Sequence, residues 1–148
     1  MAKDRFLPLL RELARCYQAF ELCSSRHLRT LGLTPPQFDI IATLGNTNGM
    51  SCGELGDQTL ITKGTLTGVI DRLAARGLLQ RTTSDTDRRS VIVKLTPEGQ
   101  ALFDEVFPAH LAHLRRYFVP LDDEMLALMQ KEFHLLRLAF EQEPAETV

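Results

Sequence analysis

Between Ser84 and Gly99 the chain reads SDTDRRSVIVKLTPEG, which sets Asp87, Arg88 and Arg89 at the tip of a β-hairpin pattern. A guanidinium is planar, permanently charged and forked, so it pairs with carboxylate or phosphate oxygens in two parallel bonds. An arginine at a hairpin tip can enter the narrow, negatively charged minor groove of duplex DNA. Asp87, two residues before Arg89, can hold that guanidinium in one direction. The plain alternative is a solvated turn whose surface ion pair is worth well under ~1 kcal/mol. The elements around the tip decide between the two.

The segment before the hairpin carries a second chemical pattern. With about 100° per residue and Leu66, Val69, Ile70 and Leu73 turned inward, the outermost positions are Gly64, Gly68, Asp71 and Ala75, flanked by Thr65, Thr67 and Arg72. A glycine in a helix interior costs about 1 kcal/mol relative to alanine, so two on one outer face call for a reason. Close approach to another surface is one, and a helix entering a DNA major groove would present short hydroxyls to base edges. A weak surface helix is the other reading.

Charge is distributed to match. From Thr62 to Thr96 seven basic residues stand against three acidic ones, a surplus of four, while the whole chain has a formal charge of −2. A basic segment in a mildly acidic protein suggests a local polyanion contact. At 148 residues and 44% hydrophobic content the chain can bury a core without staples. No apolar run approaches the about 18 residues that cross a bilayer, so a cytoplasmic protein without membrane contact is expected. Cys16, Cys23 and Cys52 fit no paired zinc spacing, and no cofactor or metal site is expected. His110 and His113 lie three apart, but with no third ligand evident they are expected at an interface or the surface.

Periodicity supplies the scaffold. Phe6, Leu10, Leu13, Tyr17 and Phe20 mark one face of a first helix ending near Gly32. Thr34, Pro35 and Gln37 form a capping box with proline at the first position of a second helix, which stops near Gly45. SCGE at Ser51 to Glu54 repeats the cap, with Leu55 inward, and a polar break at Gln58 and Thr59 precedes a fourth helix from about Thr62 to Gly77. Two short helices with a tight link form a helix-turn-helix candidate. Leu78 to Thr83 and Ser90 to Thr96 are the hairpin strands, half-buried by their alternation. Thr96 and Pro97 open a long helix with the stripe Phe103, Phe107, His110, Leu114 and Tyr117, in which Pro108 should produce a kink. Asp122 to Glu124 open the last helix, with Leu126, Met129, Phe133, Leu136 and Phe140 on one face.

The wing segment DTDRRSVIVKLTPEG resembles the signature of the MarR family of bacterial regulators. LTPPQFDIIATL, SCGELGDQTLITKGTLTGVIDRLAARGLLQR and LDDEML match in order. The resemblance spans nearly the whole chain. It implies a mainly α fold with a small β-hairpin wing: a winged helix-turn-helix at 34–96, dimerisation helices at 1–33 and 97–142, and a flexible tail at 143–148. It also implies a homodimeric transcription factor, commonly a repressor released by a small aromatic or phenolic ligand. Arg89 would enter the minor groove supported by Asp87 and beside Arg88, and Thr62, Lys63, Thr65, Thr67 and Arg72 would meet bases or phosphates of a pseudo-palindromic operator. Two apolar stripes at opposite ends of the chain suit a second copy, because a two-fold operator needs recognition helices roughly 34 Å apart.

The family's usual effector position, where dimer helices meet the winged domain, directs attention to Arg15, Phe20, Cys23, His27, Phe38, Ile41, Phe107 and His110; each is also a natural packing residue. Aromatic walls with a few polar groups suit an aromatic anion. Thiol oxidation is a rival trigger. The reactive cysteine of peroxide-sensing members would fall near Leu10, matching neither Cys16 nor Cys23, and those two lie about 10.5 Å apart along one helix, too far for an intrahelical disulfide. A winged-helix module that binds an acidic protein partner is another reading. No nucleophile elbow, phosphate loop or metal motif points to an enzyme.

Overall fold

The computed structural model describes residues 4–83, 90–142 and 144. Among these residues the order is α1 (Leu7–Thr30), α2 (Pro35–Leu44), β1 (Met50–Ser51), α3 (Cys52–Gln58), α4 (Lys63–Ala75), β2 (Leu79–Thr83), β3 (Val91–Leu95), α5 (Pro97–Phe118) and α6 (Asp123–Glu141). The chain divides into two compact units, Met1–His113 and Leu114–Val148.

Local sequence chemistry sets the helix boundaries of the first unit. The Thr34 hydroxyl accepts from the Gln37 N–H (3.4 Å) and the Gln37 side chain accepts from the Thr34 N–H (3.0 Å), the reciprocal bonds of a capping box. Ser51 Oγ accepts from the Glu54 N–H at 3.1 Å and starts α3. α1 and α4 end alike. Gly32 and Gly77, both at φ 76°, turn the chain left-handed, and the N–H groups of Leu33 and Leu78 return to the carbonyls of Leu28 and Leu73, each at 3.0 Å. That closure satisfies carbonyls that the helix itself leaves open.

The three strands form one antiparallel sheet in the order β1-β3-β2, with Arg81 opposite Val93 and Met50 on its other side. β1 is absent from the sequence reading because two residues carry no periodicity. Of the hairpin strands, Val93 is fully buried while Val91 is exposed, so the alternation expected for β3 holds only at its centre. Val93 joins Ile40, Ile41, Leu44, Leu55, Leu66, Ile70, Leu73, Phe103 and Val106 in one core. Burying a side chain of that size contributes about 1.5–3 kcal/mol, so this cluster fixes α4 against α2 and the sheet. At Gly99, a Cβ would collide with the Leu78 carbonyl, so the first turn of α5 lies directly on the end of the α4–β2 connection. Thr96 ties the same corner, its Oγ1 donating to the Gly77 carbonyl at 2.6 Å and accepting from the Gly99 N–H at 3.0 Å.

The expected apolar face of α1 is largely exposed. Phe6, Leu10, Tyr17 and Phe20 are 57%, 42%, 54% and 47% exposed, and Ser24 and Leu28 are the helix's buried residues. α5 continues on both sides of Pro108. In the second unit, Asp122 Oδ1 accepts from the Met125 N–H at 2.8 Å to cap α6, a helix with no buried residue. Met129, Phe133 and Phe140 are exposed there too. Among the described residues no helix is long and apolar enough to cross a membrane.

Candidate nucleic-acid interface

α4 presents the bare face expected of it. Leu66, Val69, Ile70 and Leu73 are buried, while Lys63, Gly64, Thr65, Thr67, Gly68, Asp71 and Arg72 are all exposed. A Cβ at Gly64 or Gly68 would meet no atom of the chain within 4 Å. Packing inside the protein therefore does not require either glycine. Thr62 takes the N-cap position, but its hydroxyl makes no cap bond; it donates to Thr65 Oγ1 at 3.1 Å, pairing two small polar groups at the leading end of the helix.

The approach to α4 is held from two sides. Thr59, expected in a polar break, is buried, and both its N–H and its hydroxyl bond the Leu55 carbonyl, at 3.0 and 2.8 Å. The next N–H, that of Leu60, donates to Asp39 Oδ2 on α2 at 3.0 Å, while the Leu60 side chain stands 90% exposed. On the other side, the Asp71 carboxylate of α4 binds the Arg81 guanidinium of β2. Arg76 reaches the Gly32 carbonyl at 3.3 Å. Asp39 and Arg81 were not among the expected site residues. Both act through partners distant in sequence, and Arg81 could have been found only by pairing the outward Asp71 with the neighbouring strand. Asp87, Arg88 and Arg89, the expected wing residues, lie outside the described residues.

The residues expected around an effector separate into three groups. Arg15 and Phe20 lie on exposed turns of α1, and Cys23 is half-buried. Ile41 is fully buried in the core. His27, Phe38, Phe107 and His110 form an aromatic cluster, joined by Ser24 and His113. Phe38 meets His110 edge-on, with ring centroids 4.7 Å apart, and stacks near Phe107 at 6.4 Å. His27 Nδ1 lies 2.9 Å from His110 Nδ1, and His110 Nε2 lies 3.1 Å from Ser24 Oγ. The rings of His27 and His113 are parallel within 6° at 4.1 Å. Burial, and then the neighbouring His27 and His113, push the His110 imidazole down to about 4; burial, and then His113, also lower His27. These rings stack on one another instead of converging on a point, and among the described residues no group of three or more metal-ligating side chains is arranged to hold an ion. Cys16, Cys23 and Cys52 are free thiols.

A helix-turn-helix with an open outer helix face, followed by a β-hairpin that completes a three-stranded sheet with β1, defines a DNA-binding regulator of the winged-helix class. The sequence model of the MarR family matches residues 31–90. The HTH-type transcriptional regulator MhqR of Bacillus subtilis is 30% identical over 129 residues, spanning 87% of this chain and 83% of that protein. Among solved structures, AbsC of Streptomyces coelicolor, a MarR family transcriptional regulator, superposes with a TM-score of 0.84 at 24% identity, covering 97% of this chain and 99% of that one. BpsR of Bordetella bronchiseptica, whose DNA binding is regulated by 6-hydroxynicotinic acid, superposes at 0.79 with 28% identity over 97% of this chain and 100% of that one. The chain belongs to the MarR family of transcriptional regulators, and its relatives are DNA-binding regulators, not enzymes.

Proposed function

We propose that the protein is a homodimeric repressor that binds a pseudo-palindromic duplex operator and is released from it by a small aromatic ligand. The observation that carries the reading is the outer face of α4, where two glycines with open space around them leave a helix of short hydroxyls and two cations, Lys63 and Arg72. Such a face reaches base edges without steric conflict, and its cations neutralise phosphates. Thr62, Lys63, Thr65, Thr67 and Arg72 would meet the major groove and its flanking phosphates. In this reading Arg89 enters the minor groove, with Asp87 as its support and Arg88 on the backbone.

Dimerisation is supported by the uncovered apolar residues of α1 and, separately, of α6; faces of this kind on an ordinary soluble chain mark association surfaces. For the ligand, the support is the meeting of Phe38, Phe107, His27 and His110 and the aromatic acid that regulates BpsR. Selection of bound duplexes from a random pool, with sedimentation of the free protein, tests the first two parts. A two-fold symmetric site and a dimer are expected; a monomer without sequence preference would overturn them. Titrating 6-hydroxynicotinic acid and related hydroxylated aromatic carboxylates into the selected complex tests release, with dissociation expected and unaltered binding counting against an aromatic effector.

A further inference from the structure

The imidazoles joining α1 to α5 have a geometry that restricts how many protons they hold. His27 and His110 face each other nitrogen to nitrogen at 2.9 Å, so only one of the two Nδ1 atoms can carry a hydrogen. The second nitrogen of His110 is engaged by Ser24 at 3.1 Å. With one N–H on each ring, the neutral cluster satisfies both contacts: whichever nitrogen of His110 donates, the other accepts. A first added proton on His27 is tolerated, since His27 Nδ1–H can donate to an unprotonated His110 Nδ1. A further proton on His110 sets two N–H groups head to head, and the parallel ring of His113, 4.1 Å from His27, adds like charge.

The surroundings are Ser24 and His27 from α1, Phe38 from α2, and His113 from α5. The imidazoles of His27 and His113 act on His110, and that of His113 on His27, each as a like charge. His110 itself is 2% exposed, so a charge there has almost no water to stabilise it.

We propose that the facing His27–His110 pair, with His113 stacked on His27, is a proton-operated switch, which opens the α1–α5 contact on acidification and thereby weakens DNA binding. This rests on the DNA-binding reading of α4. The route to that helix is short. Phe38 rests edge-on against His110, and the adjacent Asp39 carboxylate holds the Leu60 N–H, two residues before the N-cap of α4. The imidazole pKa is lowered by folding, so the unfolded or opened form binds more protons in the window below about 6.5. Stability is therefore complete above that value and is lost as the pH falls toward about 4, where His110 titrates in the closed cluster. Opening admits more than one proton, so the transition is steeper than a single titration. The sign is diagnostic, because added positive charge on a DNA-binding protein otherwise strengthens its hold on phosphate.

The test follows histidine ring carbon resonances of the full-length protein from pH 8 to 4, together with affinity for a duplex selected at pH 7.5. Expected are coupled titration of His27 and His110 below the ordinary imidazole range and an affinity loss of about tenfold or more between pH 7.5 and 5. His110→Gln, which keeps a donor and an acceptor without titrating, should flatten the affinity profile. His27→Phe, which keeps a flat ring against His113, gives the same reading if the glutamine variant does not fold. Independent titrations near 6.5, an affinity that rises with acid, or an acid loss undiminished in the variants would each overturn the switch. Failure of the DNA reading appears separately, as no duplex selected at pH 7.5. The resonances and the pH dependence of thermal unfolding still decide the fate of the cluster in that case.

Discussion

The carboxylate of Asp71, on the outer face of α4, is bound to the guanidinium of Arg81 on β2, so the helix that faces outward and the first strand of the hairpin are tied by charge. Both side chains are substantially exposed, at 60% and 40%. An exposed pair contributes at most about 1 kcal/mol to stability. Its larger effect is on the field of the interface, because a bound Asp71 does not repel phosphate. Arg81→Ala should leave the melting temperature almost unchanged and weaken duplex binding by about fivefold, roughly 1 kcal/mol, most strongly at low salt. Removing Asp71 as well should recover part of that loss. A double-mutant cycle by fluorescence anisotropy measures it, and additive losses would mean the pair has no bearing on DNA.

Asp39 holds the Leu60 N–H, and its role is to position the helix-turn-helix link. Asp39→Ala should reduce DNA affinity severalfold while lowering stability by about 1 kcal/mol, the net worth of one such bond. Asp39→Asn retains an acceptor oxygen and should restore most of the affinity. Equal losses in both variants would assign the effect to charge rather than position.

The crowding at Gly99 predicts a purely structural effect. Gly99→Ala places a methyl group against the Leu78 carbonyl and should destabilise the fold by about 1–3 kcal/mol in urea denaturation, despite alanine's better helix propensity. A neutral or stabilising result would show that the corner relaxes freely.

The uncovered face of α1 makes the dimer testable. Replacing Leu10 and Phe20, 42% and 47% exposed, by glutamate should produce a folded monomer by sedimentation, with helix content retained in circular dichroism. A dimer unaffected by both charges would place the association surface elsewhere.

Elements framed by local chemistry were legible in the sequence. Thr34, Pro35 and Gln37 predict the start of α2 because a capping box involves only four consecutive residues. The buried face of α4 followed from its period, and the open outer face from its glycines. What depends on distant meetings was not legible. β1 exists only because Met50 and Ser51 pair with β3, and Thr59 reads as polar although its hydroxyl bonds the preceding turn and lets it be buried. Individual members of the histidine cluster were named among candidate ligand residues. Their stacking, and the part of Ser24, required α1 to meet α5 across more than 80 positions of sequence.

Close approach of DNA to α4 requires its outer face to stay bare at Gly64 and Gly68. Gly68→Leu separates that requirement from stability, because a side chain there meets nothing within the protein and leucine favours the helix by up to about 1 kcal/mol. Thermal unfolding and affinity for a selected duplex, measured on the same preparation, should move in opposite directions: a more stable protein that binds at least about tenfold more weakly, a loss of roughly 1.4 kcal/mol. A variant that is more stable and binds the duplex as well as the parent would contradict the central claim.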